Sequence, residues 1–145
     1  MKKNFNSKFW KKKKVFITGH TGFKGSWLCL VLNSLGAEIT GYSLKPKTKP
    51  SLYELAGVKK IVKKSIIADV RNYKNLFKQI KLSKANIIFH LAAQPLVRQS
   101  YIEPKETFET NIIGTLNILE CIKKIKDCHR GVLLPGAPDR AIIIN

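Results

Sequence analysis

Short apolar runs alternate with amphipathic stretches along most of the chain. The runs at residues 15–18, 38–43, 65–68 and 87–91 are rich in β-branched and aromatic side chains, and each predicts a strand. Their apolar positions are mostly continuous, which is typical of strands in a parallel sheet that helices cover on both faces. The pattern therefore predicts a doubly wound α/β fold.

Three amphipathic segments separate these strands and predict helices. Gly36 is placed as the C-terminal cap of the first, and Asn72 can cap the second at its N-terminus. Residues 44–50 contain two prolines and predict a loop. The apolar stripe of the first helix is Phe23, Trp27, Val31, Leu32 and Leu35. That of the second is Leu76, Phe77 and Ile80. That of the third and longest is Phe108, Ile112, Leu116, Leu119, Ile122 and Ile125.

The two ends of the chain carry weaker signals. Residues 1–14 are polar and rich in lysine, and we interpret them as a basic arm in front of one domain at residues 15–145. A fifth strand is predicted at either residues 132–134 or residues 141–144, with a turn between the two runs. We favour the later run because it is longer and fully aliphatic.

The composition narrows the classes of function. With 145 residues, of which 44% are hydrophobic, the chain can bury one core. Lysine and arginine number 27 against 9 acidic residues, and the formal net charge of +18 would suit nucleic acid or an anionic membrane. Base-reading and bidentate phosphate sites favour arginine, however, and nearly all of these cations are lysines, so we expect no nucleic-acid partner. The arginines are Arg71, Arg98, Arg130 and Arg140.

Export, a membrane and a metal site are not indicated. The apolar run after the basic arm is too short for a signal peptide, and no run approaches the roughly 20 residues that span a bilayer. Cys29, Cys121 and Cys128 lie too far apart for a C-x-x-C metal or redox pair, and their odd number leaves a disulfide framework incomplete. We expect a protein of the reducing cytosol without a metal.

The most informative motif is a glycine triplet between the first strand and the first helix. Gly19 permits a tight turn, Gly22 lets the backbone approach a pyrophosphate, and Gly25 allows the helix to pack close to the sheet. The unpaired amides at the start of the helix would then face the phosphates. Because the triplet follows a predicted strand and precedes an amphipathic helix, it predicts a Rossmann-type dinucleotide site.

The residues alone do not decide whether the dinucleotide is NAD or NADP. An acid at the end of the second strand usually holds the ribose hydroxyls and repels a 2′-phosphate, but Tyr42 and Ser43 occupy this region and Lys45 follows. Local charge therefore suits NADP as well as NAD. Asp69, at the end of the third strand, can either hydrogen-bond the adenine amino group or cap the next helix.

Four motifs, in this order and spacing, resemble the extended short-chain dehydrogenase/reductase family of nucleotide-sugar enzymes. They are the glycine pattern at residues 19–25, Asp69-Val70, His90-Leu91-Ala92-Ala93-Gln94, and Thr110-Asn111-x-x-Gly114-Thr115. Within that family, four strings are similar to the CDP-glucose 4,6-dehydratase branch, and the resemblance covers about residues 9–127. The strings are ITGHTGFKGSWL (17–28), GYSL (41–44), PSLYEL (50–55) and FHLAAQPLVRQSY (89–101).

The resemblance implies a truncated NAD-binding fold, with NAD as cofactor and a nucleotide sugar, CDP-glucose, as substrate. Asn111 would brace the strand and the cofactor pocket. His20 suits a bond to the turn backbone as well as to phosphate, and we interpret His90 as a satisfied core histidine. The implied cofactor-binding residues are Gly19, Thr21, Gly22, Phe23, Gly25, Asp69, Val70, Leu91, Ala92, Ala93 and Thr110. The implied substrate-binding residues are Gln94, Val97 and Arg98.

The resemblance also implies that the acid–base residues lie beyond Asn145. Enzymes of the family oxidise the sugar at C4 with NAD, eliminate water and return the hydride to C6, for which they use a Thr/Ser-Asp-Lys segment after the fifth strand and a Tyr-x-x-x-Lys pair. We expect these 145 residues to be inactive alone. The alternatives are a stand-alone nucleotide-binding module and a fragment of another nucleotide-sugar epimerase or dehydratase. An exposed fifth strand would also favour either a monomer of low stability or a homo-oligomer.

Overall fold

The computed structural model describes residues 7–129 and 140–143, which form a sheet covered by helices. The strands are β1 (Lys14–Thr18), β2 (Glu38–Ser43), β3 (Lys64–Ile67), β4 (Ile87–His90) and β5 (Arg140–Ile143). The helices are α1 (Ser7–Trp10), α2 (Phe23–Ser34), α3 (Leu52–Leu55), α4 (Val58–Ile61), α5 (Tyr73–Ser83), α6 (Val97–Ile102), α7 (Pro104–Phe108) and α8 (Gly114–His129), with a π-helical turn (Glu109–Ile113) directly before α8.

The five strands are all parallel and lie in the order β3-β2-β1-β4-β5. The sheet grows from β1 to one side through β2 and β3, and the chain then crosses over to place β4 on the other side. This topology confirms the predicted doubly wound α/β fold. The favoured fifth strand is also confirmed, since Ala141 pairs with Ile88 and Ile142 with Phe89. The earlier candidate, residues 132–134, lies outside the described residues.

Two apolar layers cover the sheet, and alternate residues of each strand supply them. Val15 and Ile17 of β1 pack with α2, α3 and α4, whereas Phe16 packs with α5 and α8. Both faces of β1 are therefore buried, which explains its continuous apolar run. Cys29 and Cys121 are free thiols buried in opposite layers, and burial raises the pKa of each to about 12.

The apolar stripe predicted for the first helix is wrong in part. Phe23, Trp27 and Val31 are exposed on α2, and the residues that face the sheet include Cys29 and Leu32. The remaining sheet-facing positions of α2 are small, Gly25 and Ser26. A helix that packs this close to a strand needs small side chains on its buried face, so the largest apolar residues are turned outward.

The stripe predicted for the longest helix is also wrong over its first half. The π-helical turn at Glu109–Ile113 interrupts the regular 3.6-residue period, so one stripe cannot continue through it. Ile122 and Ile125 are buried as predicted, together with two residues outside the stripe, Ile118 and Cys121. The four predicted core residues that are exposed instead are Phe108, Ile112, Leu116 and Leu119.

The predicted basic arm overlaps the folded part of the chain. Residues 8–10 belong to α1, and Trp10 packs against Phe89 of β4 with ring centroids 6.4 Å apart. Lys14 already belongs to β1. None of the helices within residues 7–129 combines the length and the hydropathy that a bilayer-spanning segment requires.

Candidate functional site

The candidate site lies at the carboxyl edge of the sheet between β1 and β4. In doubly wound sheets a ligand crevice opens between the two strands at which the strand order reverses. Here that point is β1 next to β4. The glycine triplet follows β1, and residues 91–94, which we call the β4 exit loop, follow β4. The two motifs therefore meet at one crevice, although Gly19 and Leu91 are 72 residues apart in the sequence.

Gly19 and Gly25 are required by the packing of the chain itself. Gly19 has a φ of +75°, and a Cβ there would lie 2.7 Å from the carbonyl carbon of Leu91 and 2.8 Å from the amide nitrogen of Ala92. A Cβ on Gly25 would overlap the carbonyl oxygen of Gly19. The turn thus packs closely against the β4 exit loop on one side and against α2 on the other.

Gly22 differs, because little of the chain surrounds it. Its φ of −76° and ψ of 167° are open to any residue, and the nearest atom to an added Cβ is the Gly19 carbonyl oxygen at 3.3 Å. Gly22 is the N-cap of α2, and within residues 7–129 and 140–143 no side chain caps this helix or competes for the amides of its first turn. Open amides at the positive end of a helix dipole suit an anion such as a pyrophosphate.

Thr21 joins the glycine turn to the end of β2. Its hydroxyl donates to the carbonyl oxygen of Leu44 at 2.8 Å and accepts from the hydroxyl of Ser43, with 2.9 Å between the oxygens. Thr21 is buried, so its side chain shapes the turn from inside. Phe23 is 71% exposed at the start of α2 and is free to contact a ligand.

Asp69 lies at the carboxyl end of β3 and pairs with Arg71. The carboxylate accepts hydrogen bonds from the Arg71 backbone amide at 2.8 Å, from Nε at 2.9 Å and from Nη2 at 2.6 Å. Burial works to raise the pKa of Asp69, but the hydrogen bonds and charge of Arg71 outweigh it and lower that pKa. The alternative in which Asp69 caps the next helix is wrong, because Asn72 caps α5 through the amide of Asn75.

Val70 anchors α8 to the end of β3. It is buried, and a Cβ on Gly114 would lie 2.8 Å from its Cγ2, so the start of α8 needs a glycine to approach so closely. Asn117 of α8 donates from Nδ2 to the carbonyl oxygens of Val70 and Arg71, at 3.0 and 3.1 Å. These contacts place the residues of the Asp69-Val70 motif at a fixed distance from the π-helical turn.

Asn111 and Gln94 hold the β4 exit loop. The Gln94 amide donates to Asn111 Oδ1 at 2.8 Å, and Asn111 Nδ2 donates to the Gln94 carbonyl at 3.2 Å. The Gln94 side chain is buried, accepts from the Leu96 amide and donates to Thr107 Oγ1. The resemblance places Gln94 against the substrate, whereas here its amide group closes a turn inside the chain. Leu91, Ala92 and Ala93 are half-buried.

The other residues of the predicted substrate side lie on α6. Val97 and Arg98 are both exposed there, and Thr110 is half-buried in the π-helical turn. One Tyr-x-x-x-Lys spacing does occur, Tyr101 to Lys105, so the expectation that such a spacing lies only beyond Asn145 is wrong. Tyr101 lies in the last turn of α6 and is 83% exposed, while Lys105 belongs to α7 and pairs with Glu109 at 3.9 Å. The two side chains do not share one helix.

His20 points away from the glycine turn and does not face the crevice. Its Nε2 lies 2.7 Å from Ser65 Oγ, which is also 2.8 Å from Tyr53 Oη. The ring is fully buried and fills the space that the absent side chain of Gly41 leaves on β2. Burial lowers the pKa of His20 to about 4. The sequence left two options for His20, a hydrogen bond to the backbone of the turn or a contact to phosphate. The ring makes neither of them and bonds Ser65 instead.

His90 is the satisfied core histidine that the sequence predicts. It is fully buried at the end of β4, and its two ring nitrogens lie 2.6 Å from Thr18 Oγ1 and 3.1 Å from Thr115 Oγ1. Burial lowers the pKa of His90 to about 4. Sequence reasoning missed its partners Thr18 and Thr115, although both lie inside motifs that carry the family resemblance.

Comparisons with known proteins show which family the chain resembles. The family described as GDP-mannose 4,6-dehydratase matches residues 16–133. The chain is 49% identical over 117 residues to the CDP-glucose 4,6-dehydratase of Salmonella typhimurium, covering 81% of this chain and 32% of that protein. It is 30% identical over 121 residues to the GDP-mannose 4,6-dehydratase of Vibrio cholerae, covering 77% and 32%.

A solved structure gives the same match at the level of the fold. The Thermus thermophilus UDP-glucose 4-epimerase complex with NAD superposes with a TM-score of 0.64 at 26% identity, covering 76% of this chain and 33% of the epimerase. The chain spans about a third of the length of the relatives that it matches. The residues that match the family, 16–133, include the glycine turn and the β4 exit loop.

Proposed function

Because the chain belongs to the GDP-mannose 4,6-dehydratase family, we propose that it is the NAD-binding part of a nucleotide-sugar 4,6-dehydratase, a lyase that acts on CDP-glucose. The observation that carries the proposal is the open glycine turn at the crevice between β1 and β4. Gly19 and Gly25 are explained by contacts within the chain, but a Cβ on Gly22 would meet only one close atom, the Gly19 carbonyl oxygen at 3.3 Å, which is a weaker demand for glycine. A bound pyrophosphate at the first turn of α2 supplies a stronger one.

The dinucleotide is proposed to be NAD. The Thermus thermophilus epimerase with the same fold is a complex with NAD. The end of β2 carries no carboxylate, and Ser43 there is buried and bonded to Thr21, so the local charge by itself does not select against NADP. The assignment therefore relies on the family and on the relatives, and competition between NAD and NADP is a direct check.

Different parts of the crevice would hold the adenosine half and the nicotinamide half of the dinucleotide. The first turn of α2, with Gly22 and Phe23, would hold the pyrophosphate. Asp69 and Val70 at the end of β3 would meet the adenine, and Arg71 keeps the carboxylate ionised there. The β4 exit loop and Thr110 would lie along the ribose and nicotinamide. The small side chains of Ala92 and Ala93 leave room for it.

The sugar nucleotide would approach from the side of α6, where Val97 and Arg98 are exposed. An exposed guanidinium suits a phosphate of the substrate, since its planar fork donates two parallel hydrogen bonds. Gln94 would act through the loop that its amide holds. When bound, NAD supplies the hydride acceptor for oxidation of the sugar at C4.

These 145 residues are proposed to bind nucleotide without turning over the sugar. Among the described residues, His20 and His90 are buried with internal partners, and Tyr101 and Lys105 lie on separate helices. None of the four is therefore placed to act on the sugar as a general acid or base. The buried free thiols of Cys29 and Cys121 suit a reducing compartment, and we place the protein in the cytosol.

Titration calorimetry with NAD, followed by incubation with CDP-glucose and mass spectrometry, tests this function. We expect saturable NAD binding at one site and no product that has lost water. Absence of NAD binding would contradict the cofactor proposal, and formation of the 4-keto-6-deoxy sugar would contradict the predicted inactivity. Turnover that appears only when a second, separate chain is added would favour a stand-alone module.

We also infer that the chain associates with a second copy through α6, α7 and α8. Exposed apolar side chains lie on these helices and on the π-helical turn between α7 and α8, and a group of such side chains is typical of an interaction surface. They include Ile102, Phe108, Ile112 and Leu116. Leu116→Lys is expected to shift the sedimentation coefficient toward that of the monomer. Leu55→Lys, at a still more exposed leucine of α3 on the other face of the sheet, should leave it unchanged. A wild-type chain that sediments as a monomer would contradict the inference.

A further inference from the structure

His90 connects three parts of the molecule that surround the crevice. It ends β4, and it lies between Thr18 of β1 and Thr115 of α8. All three polar side chains are buried or half-buried, and none of them carries a formal charge when the imidazole is neutral. The His90 ring therefore offers one donor and one acceptor, and the partners decide which nitrogen holds the proton.

The Thr18 side of His90 fixes the acceptor. Thr18 Oγ1 accepts from the backbone amide of Ala92 at 3.2 Å and from that of Leu91 at 3.1 Å, and the Leu91 amide also donates to the Thr18 carbonyl oxygen at 3.2 Å. Both lone pairs of Oγ1 thus face backbone amides. Its own proton must then go to His90 Nδ1, 2.6 Å away. Nδ1 is thus the acceptor, and the ring proton lies on Nε2.

The Thr115 side leads independently to the same tautomer. The Thr115 hydroxyl donates to the Asn111 carbonyl oxygen at 2.6 Å, so its oxygen is available to His90 only as an acceptor. His90 Nε2 lies 3.1 Å from that oxygen and must donate to it. One proton arrangement satisfies every group: Thr18 donates to His90, His90 to Thr115, and Thr115 to Asn111.

This relay holds both ends of the β4 exit loop. At the first end, the amides of Leu91 and Ala92 are bound by Thr18, the first member of the relay. At the second end, both backbone polar groups of Gln94 are bound by the side chain of Asn111, the last member. The same loop touches Gly19, where an added Cβ would strike Leu91 and Ala92.

We propose that His90 is a positioning residue that, through Thr18 and Thr115, fixes the β4 exit loop for the nicotinamide half of the dinucleotide. The proposal rests on the proposed NAD-binding function. A buried relay of neutral groups adds no charge to the crevice, so its effect is on the position of the loop backbone. Loss of the relay should weaken contacts to the nicotinamide half and spare those to the adenosine half.

The chain offers a matched control on the adenosine side. Ser65 bonds the other buried histidine, His20, at a similar distance, and that pair lies between β1 and β3, away from the β4 exit loop. Thr115→Val removes the acceptor for His90 and the donor to Asn111 while keeping the shape of the side chain. Thr115→Ser keeps the hydroxyl and serves as the rescue variant.

The experiment combines nitrogen NMR with calorimetry. In the wild-type chain without ligand, ¹⁵N shifts of His90 should show the proton on Nε2. Thr115→Val should weaken NAD binding by about tenfold and ADP binding by less than about twofold, Thr115→Ser should restore NAD binding, and Ser65→Ala should keep the NAD-to-ADP affinity ratio of the wild type.

The failures of the two proposals are distinguishable. A proton on Nδ1 in the wild-type chain overturns the relay without reference to any variant. Equal losses of NAD and ADP affinity in Thr115→Val, or no loss of either, overturn the positioning role while NAD binding by the wild type stands. A wild-type chain that binds neither NAD nor ADP overturns the proposed function and the positioning role together.

Discussion

Replacing Gly22 by valine is expected to raise the dissociation constant for NAD by at least about a hundredfold, close to abolishing binding, while the fold is retained. Gly22 has an ordinary φ, and a Cβ there would have one close neighbour, the Gly19 carbonyl oxygen at 3.3 Å, so a small shift of that carbonyl should admit a side chain at a cost of about 1 kcal/mol. The added methyl groups would instead occupy the space in which a pyrophosphate approaches the amides of α2. Calorimetry with NAD and thermal unfolding of the same sample measure the two effects.

Gly25→Ala supplies the contrast. Its methyl group would overlap the carbonyl oxygen of Gly19 and lie 2.8 Å from the backbone of His20, so α2 must move away from β1. Overpacking against backbone should lower the free energy of unfolding by about 3 kcal/mol or more. Asn33→Val, at the exposed far end of the same helix, should change neither stability nor affinity. Unchanged NAD affinity in Gly22→Val would contradict the pocket described above.

The sequence predicts the glycine turn, but it does not predict which glycine serves the ligand and which serves the packing of the chain. The spacing of Gly19, Gly22 and Gly25 after a β-branched run predicts the turn, because strand, turn and helix are local and each leaves its own pattern. The strands and their covering helices follow in the same way. Only the structure separates the glycines that the chain needs from the glycine that remains free for a ligand, since the neighbours of Gly19 lie 72 residues away in the sequence.

The errors in the sequence reasoning have a common physical origin. Burial on α8 depends on the phase of the helix after a π-helical turn, and no 3.6-residue pattern records that shift. Gln94 and His20 carry polar groups that suit ligands as well as internal partners. Their partners, Thr107 and Ser65, are brought to them by tertiary packing alone. For a polar residue, the sequence indicates which hydrogen bonds its side chain can make. The fold decides whether the partner is a ligand or another residue of the chain.

Acidification from pH 6.5 to pH 4 is expected to destabilise the fold strongly, because two buried histidines must stay neutral in it. The pKa of His20 and that of His90 fall from 6.5 to about 4 on burial. Between pH 6.5 and pH 4 each of these histidines is protonated in the unfolded chain but stays mostly neutral in the folded chain. The free energy of unfolding therefore decreases as the pH falls. Each site should cost about 2 kcal/mol by pH 5 and about 3 kcal/mol by pH 4.

Urea unfolding at pH 7.5, 6.0 and 4.5 measures this loss. Asp69 does not contribute in the same window: its pKa lies below the ordinary value of 3.8, so its stabilisation is lost only at still lower pH. His90→Asn keeps an acceptor near Thr18 without a titrating ring and should remove about half of the pH dependence, although it lowers stability at pH 7.5. A wild-type chain whose stability is equal at pH 7.5 and 4.5 would mean that both imidazoles accept protons in the fold. The relay from Thr18 to Asn111 requires His90 to be neutral, so that result would rule the relay out as well.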